Sequence, residues 1–435
     1  MGRCCRSENG YSTTAVSKGI PVKMMEEKEL LPNLFRTEYR KIVSVLCSLF
    51  GIAHIEIAED IVSDTFLSAT ESWSMNGLPE NPTAWLYAVA KNKTKNYLKR
   101  DALFEKKIAG AINDGSEKVV EVEIDLSHQN IADSQLAMMF TVCNPCISGE
   151  TQVALALNLL CGFGIREIAD AYLTNKEVIY KRINRGKEKL KEANVKIEQP
   201  TLSEINVRLE TVLTTLYLLF SEGYYSTSQN TILRKEVCSE AMRLVQLLIE
   251  NDATNTPPVN ALFALMCFHA SRFEARTTEN GETILYGDQD QALWDKQLIA
   301  KGTFFLNKAS TGQQLSKYHL EAGIAYWHTQ KEDVTEKWES ILDLYNMLIV
   351  LEYSPIAALN RTFALGKVRG KQTAITEAEK LNLTAIPFYH SLLGYLYTNL
   401  DNKKATQCFE AALQLTHSAA DKAILTRHIY QLVNQ

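Results

Sequence analysis

The chain lacks the features that mark membrane, secreted and extended proteins. No run of about 18 consecutive apolar residues occurs in its 435 residues. The best candidates, Leu209–Phe220 and Ala261–Ala270, are short and have polar flanks, so no contact with a membrane is expected. The first 30 residues hold no apolar signal core, which leads us to expect a cytoplasmic protein. Ten prolines and 20 glycines are too few for a collagen-like, linker-dominated or largely disordered chain. With 46% hydrophobic and 22% charged residues, the balance is that of a soluble globular protein.

A regular cysteine framework is missing too. The nine cysteines are odd in number and irregularly spaced, and most sit among apolar residues, as buried thiols do. Cys143-Asn-Pro-Cys146 has the spacing of a zinc knuckle, but no second Cys/His pair follows at a matching interval, so no metal is expected. Neither a nucleophile–base pair nor a glycine-rich phosphate loop is visible. The chain is therefore read as a non-enzyme without cofactors.

What the sequence does have is helical periodicity and two compact basic segments. Residues 1–29 show no helical period and read as a disordered leader, with Met24 or Met25 as alternative starts. From residue 30 apolar residues recur at three- and four-residue steps: Leu34, Tyr39, Ile42, Leu46, then Ile57, Ile61, Phe66. The turn-rich loop Asn76–Pro82 separates these from a third helix starting at Thr83. The net charge is −5. Yet from Lys91 to Lys107 seven basic residues stand against Asp101 and Glu105, and from Lys176 to Lys191 seven stand against Glu177 and Glu188. Two such segments on an acidic body suit two separate phosphate contacts.

Polar, acidic residues 109–132 read as a linker. Beyond it, a short helix with Ile165, Ile168 and Ala169 inward, a turn at Leu173–Asn175 and a second helix predict a helix-turn-helix. Val178, Ile179, Ile183 and Leu190 are expected inward, and Tyr180, Lys181, Arg185 and Lys189 outward, with Thr174 or Asn175 as the cap. The second helix of this motif enters the major groove. After Pro200 only long helical patterns remain. Leu393-Gly-Tyr-Leu-Tyr397 followed by Ala405, Phe409 and Ala412 has the pattern of a tetratricopeptide repeat, and Pro355 and Pro387 lie near its period. The expected fold is all-α: two small helical domains, the second with the helix-turn-helix, then a helical, tetratricopeptide-like extension.

Three blocks, taken together, resemble extracytoplasmic-function-type sigma factors of bacterial RNA polymerase, in the subgroup with a C-terminal helical extension ending in tetratricopeptide-like repeats. They are Ala58–Leu67, Asn81–Arg100 and the helix-turn-helix at 164–190. In the extension, Leu219–Tyr224, Asp288–Asp295 and Ser354–Arg361 are similar to that subgroup's signature stretches. The sequence departs from the pattern at Ser63, where Gln is usual, and at Asn144, where His is frequent. The resemblance implies region 2 at 30–108, the linker at 109–132, region 4 at 133–197, a helical extension domain at 205–305 and repeats at 306–435.

It also implies roles. Asp60, Ser63 and Asp64 would dock on core RNA polymerase. Lys91, Asn92, Lys95, Asn96, Lys99 and Arg100 would contact the −10 element of promoter DNA, Asn92 lining the pocket for a flipped base. Trp85 is expected in the core. Lys176, Tyr180, Lys181, Arg182 and Arg185 would read the −35 element. His269, Arg272, Asp288, Asp290, Trp294 and Asp295 form a dense set with two readings: a site for a regulatory protein or ligand, or helix caps and salt bridges. The alternative function is a tetratricopeptide scaffold that regulates through DNA without polymerase.

Overall fold

The computed structural model describes residues 22–109, 124–172, 174–225, 231–276, 284, 286–313, 315–416 and 419–433. Residues 1–21 of the leader and 110–123 of the linker lie outside them. Eighteen α-helices and no strand occur among the described residues, so the protein is all-α. No described helix is long and apolar enough to cross a membrane. The chain divides into two compact units, Met1–Ile42 with Glu59–Ile124, and Val43–Ala58 with Asp125–Gln435.

The first unit draws on α1 (Val22–Phe50), α2 (Ile55–Asn76) and α3 (Pro82–Ala109). The first turns of α1 thus occupy residues read as leader. Phe35, Tyr39 and Phe66 form a ring cluster, with Phe35 edge-on to Phe66 at 5.0 Å. Val62, Ala69, Leu86 and Ala90 are fully buried. Trp85 is half-buried and lies edge-on to Trp73 at 5.4 Å, where it packs on the unit's own core. Gly77 ends α2 in the left-handed region at φ 80°, a conformation that costs glycine little. Asn81 then caps α3 by accepting from the Ala84 amide at 2.9 Å.

The second unit opens with α4 (His128–Val142), α5 (Gly149–Leu155), α6 (Ile165–Ala171) and α7 (Lys176–Glu192). The helix α4 begins inside the stretch read as linker. Asp125 accepts from the Ser127 amide and hydroxyl, and Ser127 caps the Asn130 amide. The polar composition there is in part that of a helix cap. A π-helical turn at 156–160 follows α5, with the Cys161 amide bonding Ala156 at 3.0 Å.

The extension starts with α8 (Leu202–Tyr225), α9 (Thr231–Glu250) and α10 (Pro257–Ala270), every residue of α10 from Val259 to Phe268 being buried. Next come α11 (Lys296–Ala309), α12 (Lys317–Trp327) and α13 (Thr335–Leu351). Then α14 (Pro355–Arg369), α15 (Lys371–Leu381), α16 (Pro387–Tyr397), α17 (Asn402–Leu415) and α18 (Ala419–Val433) pack each on the next. Pro355 and Pro387 both open helices, where a missing amide costs nothing. Gly394 lets α16 and α17 approach closely, since a Cβ there would stand 2.7 Å from the Phe409 ring. Consecutive helices bury one another's apolar faces, and a core of Leu359, Ile375, Tyr389, Leu392 and Leu396 spans α14 to α16.

Candidate nucleic-acid interface

Three exposed faces carry the residues singled out above. On α2, buried Ile61, Val62, Thr65, Phe66 and Ala69 define the inner side. Asp60, Ser63, Asp64 and Leu67 stand on the outer side at spacings of three and four. Leu67 is 57% exposed, an apolar residue amid polar ones that periodicity alone does not single out. Such a patch suits a partner surface that is basic at its edge and apolar at its centre.

On α3 the inner side is Leu86, Ala90 and Thr94, the Thr94 hydroxyl donating to the Ala90 carbonyl at 2.8 Å. Ala84, Ala88, Asn92, Asn96, Lys99 and Arg100 are exposed along the outer side. The row is free of acid. Its first two members are small, which leaves room beside Asn92 for a base or sugar. Lys91 and Lys95 flank it half-buried, their stems lying against the helix as long basic side chains do. Lys93 instead faces α2, 3.8 Å from Asp64. The Tyr87 hydroxyl donates to the buried Glu38 at 2.6 Å, and Glu38 also holds Lys41 at 2.8 Å. Burial and the Glu38 carboxylate push the Tyr87 phenol far above its usual range, so it remains a donor.

On α7, Asn175 is the cap, accepting from the Val178 amide at 2.9 Å. Ile179, Ile183 and Leu190 are buried, as the periodicity predicts. Val178 departs from the inward expectation and is 40% exposed. Lys176, Tyr180, Lys181 and Arg185 are exposed, while Arg182 turns back and pairs with Glu150 at 2.9 Å. Lys181, Arg182, Arg185 and Lys189 of α7 and Ser148, Glu150 and Thr151 at the start of α5 line a groove of about 400 Å³. Four cations against one carboxylate suit a phosphate backbone.

Gly186 sets how closely α7 approaches α5. A Cβ there would lie 2.5 Å from Thr151 Cγ2 and 2.9 Å from Leu155 Cδ1. Gly186→Val is therefore expected to lower stability by about 1–3 kcal/mol through overpacking, read as a lower urea midpoint at unchanged slope.

The helices behind α7 are held by the extension. Thr215 on α8 donates to Gln152 Oε1 at 2.8 Å, and Gln152 donates to the carbonyls of Asn144 and Ile147. Arg208 bonds the Phe140 carbonyl at the end of α4. Arg243 on α9 reaches Gln135 at 3.3 Å and the Leu160 carbonyl at 3.0 Å. None of these residues was visible as functional in the sequence, because buried polar pairs join positions dozens of residues apart. Removing everything after Pro200 would leave Gln135 and Gln152, both buried, without these partners. Each lost hydrogen bond removes about 0.5–1.5 kcal/mol of net stability, and the apolar cover of α8 and α9 goes with it. Such a truncation is expected to melt well below the full chain by circular dichroism, with loss of α4–α7.

The set at 269–295 resolves into separate jobs. Asp290 caps the Ala292 amide at 2.9 Å, and Asp295 caps those of Gln297 and Leu298 at 2.8 and 3.0 Å. Arg272 and Trp294 are buried against Tyr286, Asp288 is exposed, and His269 is half-buried beside Tyr224. No group of His, Cys, Asp and Glu fit for a metal occurs among the described residues. Burial pushes the Cys143 thiol up to about 12, while Cys146 is exposed.

A model of sigma-70 region 2 matches residues 34–103, the span of α1 to α3. A family of unknown function matches residues 208–310. An uncharacterized protein of Rhizobium meliloti (strain 1021) is 30% identical over 387 residues, covering 87% of this chain and 90% of the relative. No solved structure matches the chain.

Proposed function

We propose that this chain, whose residues 34–103 match sigma-70 region 2, directs bacterial core RNA polymerase to its promoters and opens them. In this reading it is an extracytoplasmic-function-type factor whose activity its own C-terminal extension controls. One observation carries the proposal. Within one small unit, α2 presents Asp60, Ser63 and Asp64, while α3 presents Asn92, Asn96, Lys99 and Arg100 on an acid-free row. Acid serves the polymerase and base plus amide serve the DNA.

The steps follow from these faces. Asp60 and Asp64 dock on the polymerase around Leu67. The cations of α3 track the phosphates of the separating strand. Asn92 hydrogen-bonds a base that has left the stack, offsetting roughly a few kcal/mol of unpairing and unstacking. The other reader is the helix-turn-helix of α6 and α7, with Tyr180, Lys181 and Arg185 toward the −35 element and Arg182 reserved for Glu150. Each site binds weakly alone, and joining them in one complex raises the effective concentration of the second. The extension grips α4 and α5 through Arg208, Thr215 and Arg243 while the reading residues of α7 stay exposed. We therefore assign it control over how this reader is held, with its stacked C-terminal helices serving as tetratricopeptide-like repeats.

Permanganate footprinting of the protein's own upstream region tests the opening step. Reactive thymines are expected only when core polymerase and the full-length protein are both present. Asn92→Ala is expected to keep the bound complex and lower thymine reactivity about tenfold or more, the equivalent of roughly 1.4 kcal/mol. Reactivity unchanged in the variant would remove Asn92 from that role.

A further inference from the structure

Between α8, α10, α12, α13 and α14 lies a cavity of about 370 Å³. Its lining is mixed. Ile324, Ala325, Leu348, Ile356 and Ala357 supply apolar surface. Tyr217, Lys317, Glu321, Glu352, Asn360, His269 and His328 supply the polar groups. An apolar pocket with a few convergent polar groups is the usual form of a small-molecule site.

The charges select the ligand. Lys317 is already engaged, its Nζ 3.0 Å from Glu352 Oε1. Both imidazoles are neutral, because burial holds His269 well below its usual range and His328 at about 3. Glu321 receives a hydrogen bond from Tyr217 and lies near Lys317 and Glu352. Once ionised, Glu321 therefore shares its nearest cation with Glu352 in a half-open, partly apolar space. His328 Nδ1 is buried and has no hydrogen-bond partner among the described residues.

We propose that this cavity binds a small organic amine, its ammonium paired with Glu321 and its apolar body against Ile324, Leu348 and Ile356. The amine supplies the missing positive charge and three N–H donors, which Glu321, Asn360 and the Tyr217 oxygen can share. A carboxylic acid would meet two carboxylates, and a neutral alcohol would leave Glu321 uncompensated. The site belongs to the extension alone and does not depend on the promoter reading. A failure of amine binding and a failure of transcription are thus separate results.

Burial raises the Glu321 carboxyl to about 7, above its ordinary 4.5. The titratable and charged groups around it are Tyr217 from α8, His269 from α10, Lys317, Tyr318 and His328 from its own helix, Tyr345 from α13, and Glu352 just beyond that helix. A carboxyl raised in the folded state costs stability as pH rises from about 4.5 to about 7, then no more. The amine binds the ionised form, so its affinity rises about tenfold per pH unit below about 7 and levels off above it.

Calorimetric titration of the full-length protein with phenethylamine and with butylamine, against phenethyl alcohol, tests the site. One saturable amine site per chain is expected, with the alcohol at least tenfold weaker. Glu321→Gln keeps the side chain's shape, relieves the buried charge and should fold, yet lose at least tenfold in amine affinity together with the pH dependence. No saturable binding of either amine, equal binding of amine and alcohol by the wild-type protein, or unchanged binding by Glu321→Gln would each overturn the proposal.

Discussion

Reversing the acidic face of α2, with Asp60→Lys and Asp64→Lys together, is expected to weaken binding to core polymerase severely while leaving the fold intact. Both residues are exposed, and surface substitutions of this kind usually change stability by no more than about 0.5 kcal/mol. The ion pair that the change removes, Asp64 with Lys93 at 3.8 Å, involves a mostly exposed carboxylate and contributes little. At the interface the same change sets like charges against each other, which costs roughly several kcal/mol. The expected loss of affinity is on the order of 100-fold or more, measured by fluorescence anisotropy of labelled protein with core polymerase, at an unchanged melting temperature. Leu67→Ala should cost less, about 1 kcal/mol, because it removes buried apolar surface and no charge.

On the proposed reading, the double substitution Lys181→Ala with Arg185→Ala is expected to remove −35 recognition. Each good base contact contributes ~1–3 kcal/mol of discrimination. Without two of them, promoter binding would weaken by about 2–6 kcal/mol, roughly 30-fold to 20,000-fold. Competition between specific and random duplex separates their roles. Removing a side chain that reads a base narrows the ratio between the two duplexes. Removing one that binds only phosphate weakens both and lowers the salt slope by about 1. Arg182→Ala should do neither strongly and should instead destabilise the packing of α5 on α7, since its partner is Glu150 at 2.9 Å.

Much of this was legible in the sequence wherever local period or charge carries the information. Ile179, Ile183 and Leu190 follow the 3.6-residue repeat and are buried. The two basic segments fall on α3 and α7. The exceptions have local physical causes. Val178 is the residue whose amide the Asn175 cap binds, in the first turn of α7, and that turn is open to solvent. Arg182 has the composition of a DNA contact but sits within reach of Glu150, 32 positions earlier in a helix the period alone does not dock. Tyr87 shows no local sign of its partner Glu38, 49 positions away in sequence, which accepts from its hydroxyl.

The rest was illegible because it is made of distant pairs. Gln135 with Arg243, Gln152 with Thr215, and the cavity wall running from Tyr217 to Asn360 each join elements that only the packed helices bring together. In the 269–295 set, composition gave two readings, and the hydrogen bonds of Asp290 and Asp295 show that these two cap helices.

The central claim is that this chain gives core polymerase its promoter specificity. Run-off transcription by core polymerase on the protein's own upstream region, with and without the full-length protein, tests it most directly. The account predicts a discrete transcript only when the protein is present, abolished by Asp60→Lys with Asp64→Lys. No transcript, together with absence of binding to core polymerase and retained binding to DNA, would contradict it and favour a scaffold that regulates through DNA without polymerase.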